Sequence, residues 1–198
     1  MKEGRKLVVA FFGGLIKAQE KWLNKKSAEG WRLVKSGIMT YTFERCEPDE
    51  YQYAVDYVGS KAFDEAQEYH DFLESLGYKV LYKNINPTYT LLRVRFRPFK
   101  KKPWVPVTNL DAYNRELLIV ERKTEEGEFR LHTSGEDIKN YYLELIAPYA
   151  FLLVLFGGLG IVTMNIFTGA VAALFLIPII IYLCEINKVK KLEKTEEI

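Results

Sequence analysis

Ala28-Glu29-Gly30-Trp31-Arg32-Leu33-Val34 and Ser75-Leu76-Gly77-Tyr78-Lys79-Val80-Leu81 can be laid over one another. Each reads as helix end, glycine, aromatic, base, then strand. Glycine reaches the left-handed conformation that closes a helix, and an aromatic after it can fold back on the last turn. Working outward, the first helix covers about residues 16–29, with Trp22 and Leu23 toward the core. The second covers about 61–76 and places Phe63, Ala66, Tyr69, Phe72, Leu73 and Leu76 at helical spacing. Before the first helix, residues 7–12 form an apolar run of the length of a buried central strand, ended by Gly13-Gly14. Between the helices two stretches alternate. Met39, Tyr41 and Phe43 share one face, Tyr51, Tyr53, Val55 and Tyr57 another, and Cys46-Glu47-Pro48-Asp49 is the turn between them. The order strand, helix, strand, strand, helix, strand predicts an α+β fold, the ferredoxin-like split βαβ arrangement.

Further along, Thr90, Leu92, Val94 and Phe96 alternate with Leu91, Arg93, Arg95 and Arg97, which suggests an additional strand. Pro98, Pro103 and Pro106 then break regular structure, and residues 87–114 read as an insertion. Residues 117–122 and 128–132 read as a β-hairpin around Glu125-Glu126-Gly127, and a short helix from about Gly135 leads onward through Tyr141 and Tyr142.

From Ala147 to Cys184, a run of about 38 residues, no residue is charged. One membrane-spanning helix needs about 20 residues, so the run reads as a two-helix hairpin. The spans fall at 146–164 and 168–186, with the polar break Asn165–Gly169 supplying the turn. Gly157, Gly158 and Gly160 in the first span, and Gly169, Ala170, Ala172 and Ala173 in the second, allow close approach of the backbones. Lys139 precedes the first span, Lys188, Lys190, Lys191 and Lys194 follow the second, and the turn carries no Lys or Arg. The positive-inside rule then puts both termini in the cytoplasm. The expected organisation is a cytoplasmic α+β domain over 1–145, a transmembrane hairpin over 146–186, and a charged cytoplasmic tail over 187–198. MKEGRK followed by LVVAFFGGLI resembles the start of a signal peptide. The run stops at Lys17 without a small-residue cleavage site, however, so a strand and glycine turn explain it better.

The 28 basic and 26 acidic residues leave a net charge of +2, so overall charge does not point to nucleic acid and no direct contact with it is expected. Cys46 and Cys184 lie in surroundings too different for a disulfide, which fits a reducing compartment.

Two groups of residues are candidate binding sites. Arg93, Arg95, Arg97, Lys100, Lys101, Lys102 and Trp104, with Phe96 and Phe99 interleaved, could sit on anionic lipid headgroups or an acidic partner. The same pattern could grip single-stranded nucleic acid, and lysines on an edge strand also simply block unwanted pairing. Tyr41, Phe43, Tyr51, Tyr53 and Tyr57 could line a ligand cavity between sheet and helices, or be core. Gly13-Gly14 lacks the surrounding pattern of a phosphate loop. His70 and His132 have no metal-ligand spacing, no catalytic constellation stands out, and no cofactor is implied.

The segment EKWLNKKSAEGWRLVKSGIMTYTFE, followed by EYQYAVDY, resembles the opening of a bacterial family, domain of unknown function 2812. The stretch LLIVERKTEEGEFRLHTSGEDIKNYY resembles its closing part, and two membrane spans after it are common in that family. The resemblance rests on Trp22, Leu23, Gly30, Trp31, Tyr41, Phe43 and Tyr53 and covers most of residues 17–146. It assigns no activity. Frequent association of the family with PadR-like transcriptional repressors implies such a regulator as a partner. The expectation is therefore a membrane-anchored binding or regulatory module that senses a ligand or sequesters a regulator. The alternatives are an accessory subunit of a larger membrane complex or an enzyme with an unfamiliar site.

Overall fold

A computed structural model describes residues 4–37, 39–59, 63–83, 94–96, 104–106, 117–124, 127, 129, 131 and 135–196. Five strands and two helices come first: β1 (Arg5–Val9), α1 (Ile16–Ala28), β2 (Trp31–Ser36), β3 (Thr40–Arg45), β4 (Tyr51–Tyr57), α2 (Phe63–Ser75) and β5 (Lys79–Lys83). The short strands β6 (Val94–Phe96) and β7 (Trp104–Pro106) pair with each other, and β8 (Leu117–Lys123) follows. Three helices complete the chain: α3 (Gly135–Thr163), α4 (Ile166–Leu174) and α5 (Leu176–Glu196).

The class is mixed α and β, but the strands do not make one split-βαβ sheet. They form two three-stranded antiparallel sheets, ordered β1-β3-β2 and β4-β8-β5. Three strands, not two, lie between α1 and α2, because the chain turns back after Ser36 and pairs β2 with β3.

The result is a tandem repeat. Each half runs strand, helix, strand, strand, with its last strand in the middle of its sheet. Gly30 (φ 77°) and Gly77 (φ 83°) close the two helices in the left-handed conformation, where a side chain would be strained. Arg32 lies opposite Glu44 in the first sheet, and Lys79 lies opposite Glu121 in the second. Phe43-Glu44-Arg45 of β3 therefore corresponds to Val120-Glu121-Arg122 of β8. Arg5 faces Glu44 as Tyr53 faces Glu121, so Leu7 and Val9 correspond to Val55 and Tyr57. The repeat is interrupted once, between β5 and β8, where β6 and β7 lie.

The cores follow the repeat. Ile16, Leu23, Leu33, Tyr41 and Phe43 are buried in the first half. Val58, Leu73, Val80, Leu118 and Val120 cluster in the second, with Tyr69, Tyr78, Tyr82 and Phe129 packed around them. β1 departs from the expectation of a buried central strand. It pairs only with β3 among the described residues and is an edge strand, so Leu7 and Val9 are 65% and 67% exposed.

The helices from Gly135 onward form the body of a second compact unit. Two stretches, Gly135–Thr163 (29 residues) and Ile166–Lys191 (26 residues), are long and apolar enough to cross a membrane. The turn between them is tighter than the sequence suggests. Met164 takes a positive φ of 49°, and the Asn165 side chain accepts a hydrogen bond from Phe167 N, making Asn165 an N-cap and leaving 166–169 helical. α3 runs unbroken through Pro148. A Cβ on Gly160 would lie 3.1 Å from Gly169 N, so the hairpin closes backbone against backbone there.

Candidate functional site

The two halves meet through polar side chains rather than a strand ladder. Lys79 Nζ donates to Leu33 O at 2.9 Å, Ser36 Oγ to Tyr82 O at 2.8 Å, and Lys83 Nζ to Gly37 O at 2.7 Å. All three bonds link β2 and the turn after it to β5.

Glu121 is the centre of this seam. It is 2% exposed on the middle strand of its sheet, where an unpaired carboxylate would be costly. The Arg32 guanidinium supplies two bonds to Oε1, at 2.9 and 2.8 Å, and Tyr53 Oη donates to Oε2 at 2.8 Å. Tyr53 Oη also accepts from Leu33 N at 2.8 Å, and Lys79 Nζ lies 3.8 Å from Oε1. The bond to Glu121 raises the Arg32 pKa, while burial lowers that of Lys79. Burial, then the Glu121 charge, holds the Tyr53 phenol protonated far above its ordinary range. A carboxylate so fully partnered joins the two halves.

α1 reaches across the seam as well. Glu20, Asn24 and Ser27, at i, i+4 and i+7, face the edge of β4. Glu20 Oε2 accepts from Val55 N at 3.2 Å, Asn24 bonds both Tyr53 N and Tyr53 O at 2.8 Å, and Ser27 Oγ donates to Tyr51 O. One polar helix stripe thus satisfies the open side of an edge strand.

The second notable group lies in the first half, around Tyr41. Trp22 packs against it at 4.9 Å between ring centroids, Phe12 at 6.1 Å and Phe43 at 6.4 Å. Lys83 Nζ sits 4.2 Å from the Tyr41 ring centroid, a cation–π arrangement across the seam. Lys83 is 5% exposed, and burial pushes its pKa down to about 8. Tyr41 Oη and Gln19 Nε2 are buried, and neither has a hydrogen-bond partner among the described residues. Gln19 stands one helical turn before Trp22, on the helix face that carries the ring against Tyr41. The buried Lys83 amine thus lies between the Tyr41 ring and Gly37 O, and the Tyr41 hydroxyl still has bonding capacity.

The five aromatics expected to line one cavity are divided between the sheets. Tyr41 and Phe43 form the group just described, whereas Tyr53 serves Glu121. Tyr51 lies under the Arg32 guanidinium at 4.3 Å, and Tyr57 is 2% exposed. Arg93, Arg97, Lys100, Lys101 and Lys102 lie outside the described residues, while Arg95 and Trp104 are backbone members of β6 and β7. His70, Asp71 and Glu74 on α2 bring potential ligand atoms within 4.8 Å of one another, two of the three being exposed carboxylates. His70 bonds Asp71 at 3.2 Å and stacks on Tyr82 at 4.9 Å. In the helical hairpin, Gly157, Gly160, Ile161, Met164, Gly169 and Ala170 line an apolar groove of about 400 Å³.

Gln19, Lys83, Arg32 and Glu121 are absent from the candidate binding residues read from the sequence. A signal for the seam existed: the base in each glycine-aromatic-base repeat is Arg32 or Lys79, and both turn to Glu121.

Two strand-helix-strand-strand halves followed by a pair of long apolar helices define the class of this protein. The chain belongs to the family of proteins of unknown function DUF2812, whose model matches residues 16–156. No curated protein and no solved structure is a significant match.

Proposed function

We propose that this protein is a membrane-tethered binding module, with an α+β domain held at the cytoplasmic face to take up a ligand or a regulatory protein. The observation that carries the binding role is the Tyr41 group. Tyr41 Oη, on the ring that the Lys83 amine caps, and Gln19 Nε2 are buried and have no hydrogen-bond partner among the described residues. A buried polar atom left unpaired costs about 1–3 kcal/mol, a cost that a bound molecule offering an oxygen acceptor would relieve. The tether is supported by exposed Ile161, Val162, Met164 and Ile166, which are 79–93% uncovered and would find their natural solvent in lipid. The flanking lysines and the uncharged turn favour cytoplasmic termini.

The test combines topology with capture. In a Cys184→Ser background, Cys46 should resist an impermeant thiol reagent in intact cells and react after lysis. Full-length protein purified from membranes in mild detergent should retain a small molecule or protein that Tyr41→Leu and Gln19→Leu variants lose. Labelling of Cys46 before lysis inverts the topology, and identical retention by wild type and both variants removes the site.

The groove in the hairpin favours a second reading, an accessory subunit that docks a larger membrane protein through its helices. That reading requires function to be lost when the hairpin is replaced by an unrelated one, whereas tethering alone leaves it intact.

A further inference from the structure

The repeat makes two pairs of surfaces equivalent, and among the described residues only one pair is joined. The α1 stripe Glu20, Asn24 and Ser27 covers the edge of β4. By the repeat, α2 is the counterpart of α1 and β1 the counterpart of β4. On the covered strand, Val55 and Tyr57 are 6% and 2% exposed; their counterparts on β1, Leu7 and Val9, are 65% and 67% exposed. On the α2 positions corresponding to Asn24 and Ser27, the Asp71 and Glu74 side chains are 64% and 54% exposed, while Ser27 is 1% exposed.

The unused surfaces are complementary. β1 opens with Arg5 and Lys6, both exposed, ahead of Leu7 and Val9. α2 carries exposed Asp64, Glu68, Asp71 and Glu74, and beside them Phe72 and Leu76 are 56% and 52% exposed. Ala10 N donates to Met39 O. Antiparallel alternation therefore turns the backbone groups of Arg5, Leu7 and Val9 to the open side. An exposed apolar edge strand of this kind is a template for association.

We propose that a second copy of this chain fills β1, with α2 of each protomer packed on β1 of the other, as α1 packs on β4 within the chain. Asp71 and Glu74 take the places of Asn24 and Ser27 at the open edge of β1, next to Arg5 and Lys6, and the exposed Phe72 lies alongside Leu7. The exchange is reciprocal, so the pair closes and leaves neither β1 open.

Two measurements on the full-length protein in detergent micelles test the interface. With Cys46 and Cys184 changed to serine, one preparation carries Leu7→Cys and another Phe72→Cys. A short bis-maleimide should join the two kinds of chain in a mixture and leave each preparation alone unlinked. By sedimentation equilibrium, Arg5→Glu with Lys6→Glu should weaken self-association about tenfold, and Asp71→Lys with Glu74→Lys likewise. All four changes in one chain should recover most of the loss, which also shows that the reversed chains fold. A wild-type monomer at tens of micromolar overturns the proposal, whether lipid or the protomer's own α2 covers β1. So does linking of Leu7→Cys chains to themselves, which means strand-to-strand pairing, or a quadruple variant as weak as the doubles.

Discussion

Asn24 on α1 bonds both backbone groups of Tyr53 on β4, accepting from Tyr53 N and donating to Tyr53 O, each at 2.8 Å. The side-chain amide thus acts as one link of a neighbouring strand, at a point where, among the described residues, β4 has no further strand beside it. Because Tyr53 is 1% exposed, water does not readily replace the link. Asn24→Ala should cost about 2–4 kcal/mol, since it strands one donor and one acceptor. Asn24→Asp keeps the acceptor for Tyr53 N but sets a carboxylate oxygen against Tyr53 O, so it should cost at least as much as alanine. Thermal unfolding of the α+β unit in detergent checks the order; an Asn24→Ala midpoint equal to wild type would mean that α1 does not hold β4.

Arg32 and Glu121 couple the halves through a carboxylate that is 2% exposed and a guanidinium that is 29% exposed. Removing the base leaves a buried charge, whereas removing both leaves an apolar gap that can be filled. Arg32→Met should therefore destabilise by about 3 kcal/mol, and Arg32→Met with Glu121→Leu should be less damaging than Arg32→Met alone. A double variant with additive losses would show that the pair does not act as a unit.

The repeat was half legible. Gly30 and Gly77, each followed by an aromatic and a base, stand out because a helix stop demands glycine whatever packs around it. The second half of the signal, Phe43-Glu44-Arg45 against Val120-Glu121-Arg122, is weaker, and the chain holding β6 and β7 interrupts its spacing. β1 reads as buried because Val8, Val9 and Phe11 have the composition of a central strand, yet an edge with an open apolar face has the same composition. The Tyr41 group was legible only as aromatics on a strand. Which of them meet Lys83 depends on how two sheets adjoin, and no local pattern encodes that.

Lys83 makes the stability of the seam depend on pH. Its pKa is about 8 in the folded protein against an ordinary 10.5, because burial opposes the charged form. Below pH 8 the amine is protonated in both states, and the fold bears the full cost of the buried charge. Between pH 8 and 10.5 the unfolded chain holds the proton more tightly than the fold does. Stability therefore rises with pH across that window, by at most about 3 kcal/mol. Lys83→Met removes this contribution and leaves the smaller one of Lys79, whose pKa burial also lowers, while keeping the stem against Tyr41. The check is the unfolding midpoint from pH 7 to 10.5; equal slopes for wild type and Lys83→Met would place the titration elsewhere.

The hairpin separates glycines that look alike in sequence. A Cβ at Gly160 would meet Gly169 N and Thr168 Oγ1 at 3.1 Å and Gly169 Cα at 3.4 Å, and backbone atoms cannot rotate away as a side chain end does. At Gly157 and Gly158 a Cβ would meet nothing within 4 Å. Gly160→Val should force α3 and α4 apart and lower the thermal midpoint of the full-length protein in detergent. Gly157→Ala and Gly158→Ala should be neutral or raise it, since alanine favours helix by about 1 kcal/mol over glycine. The contrast isolates packing from propensity, because all three changes add a side chain to the same helix. If the three variants behaved alike, helix propensity rather than the approach of the two backbones would govern the hairpin.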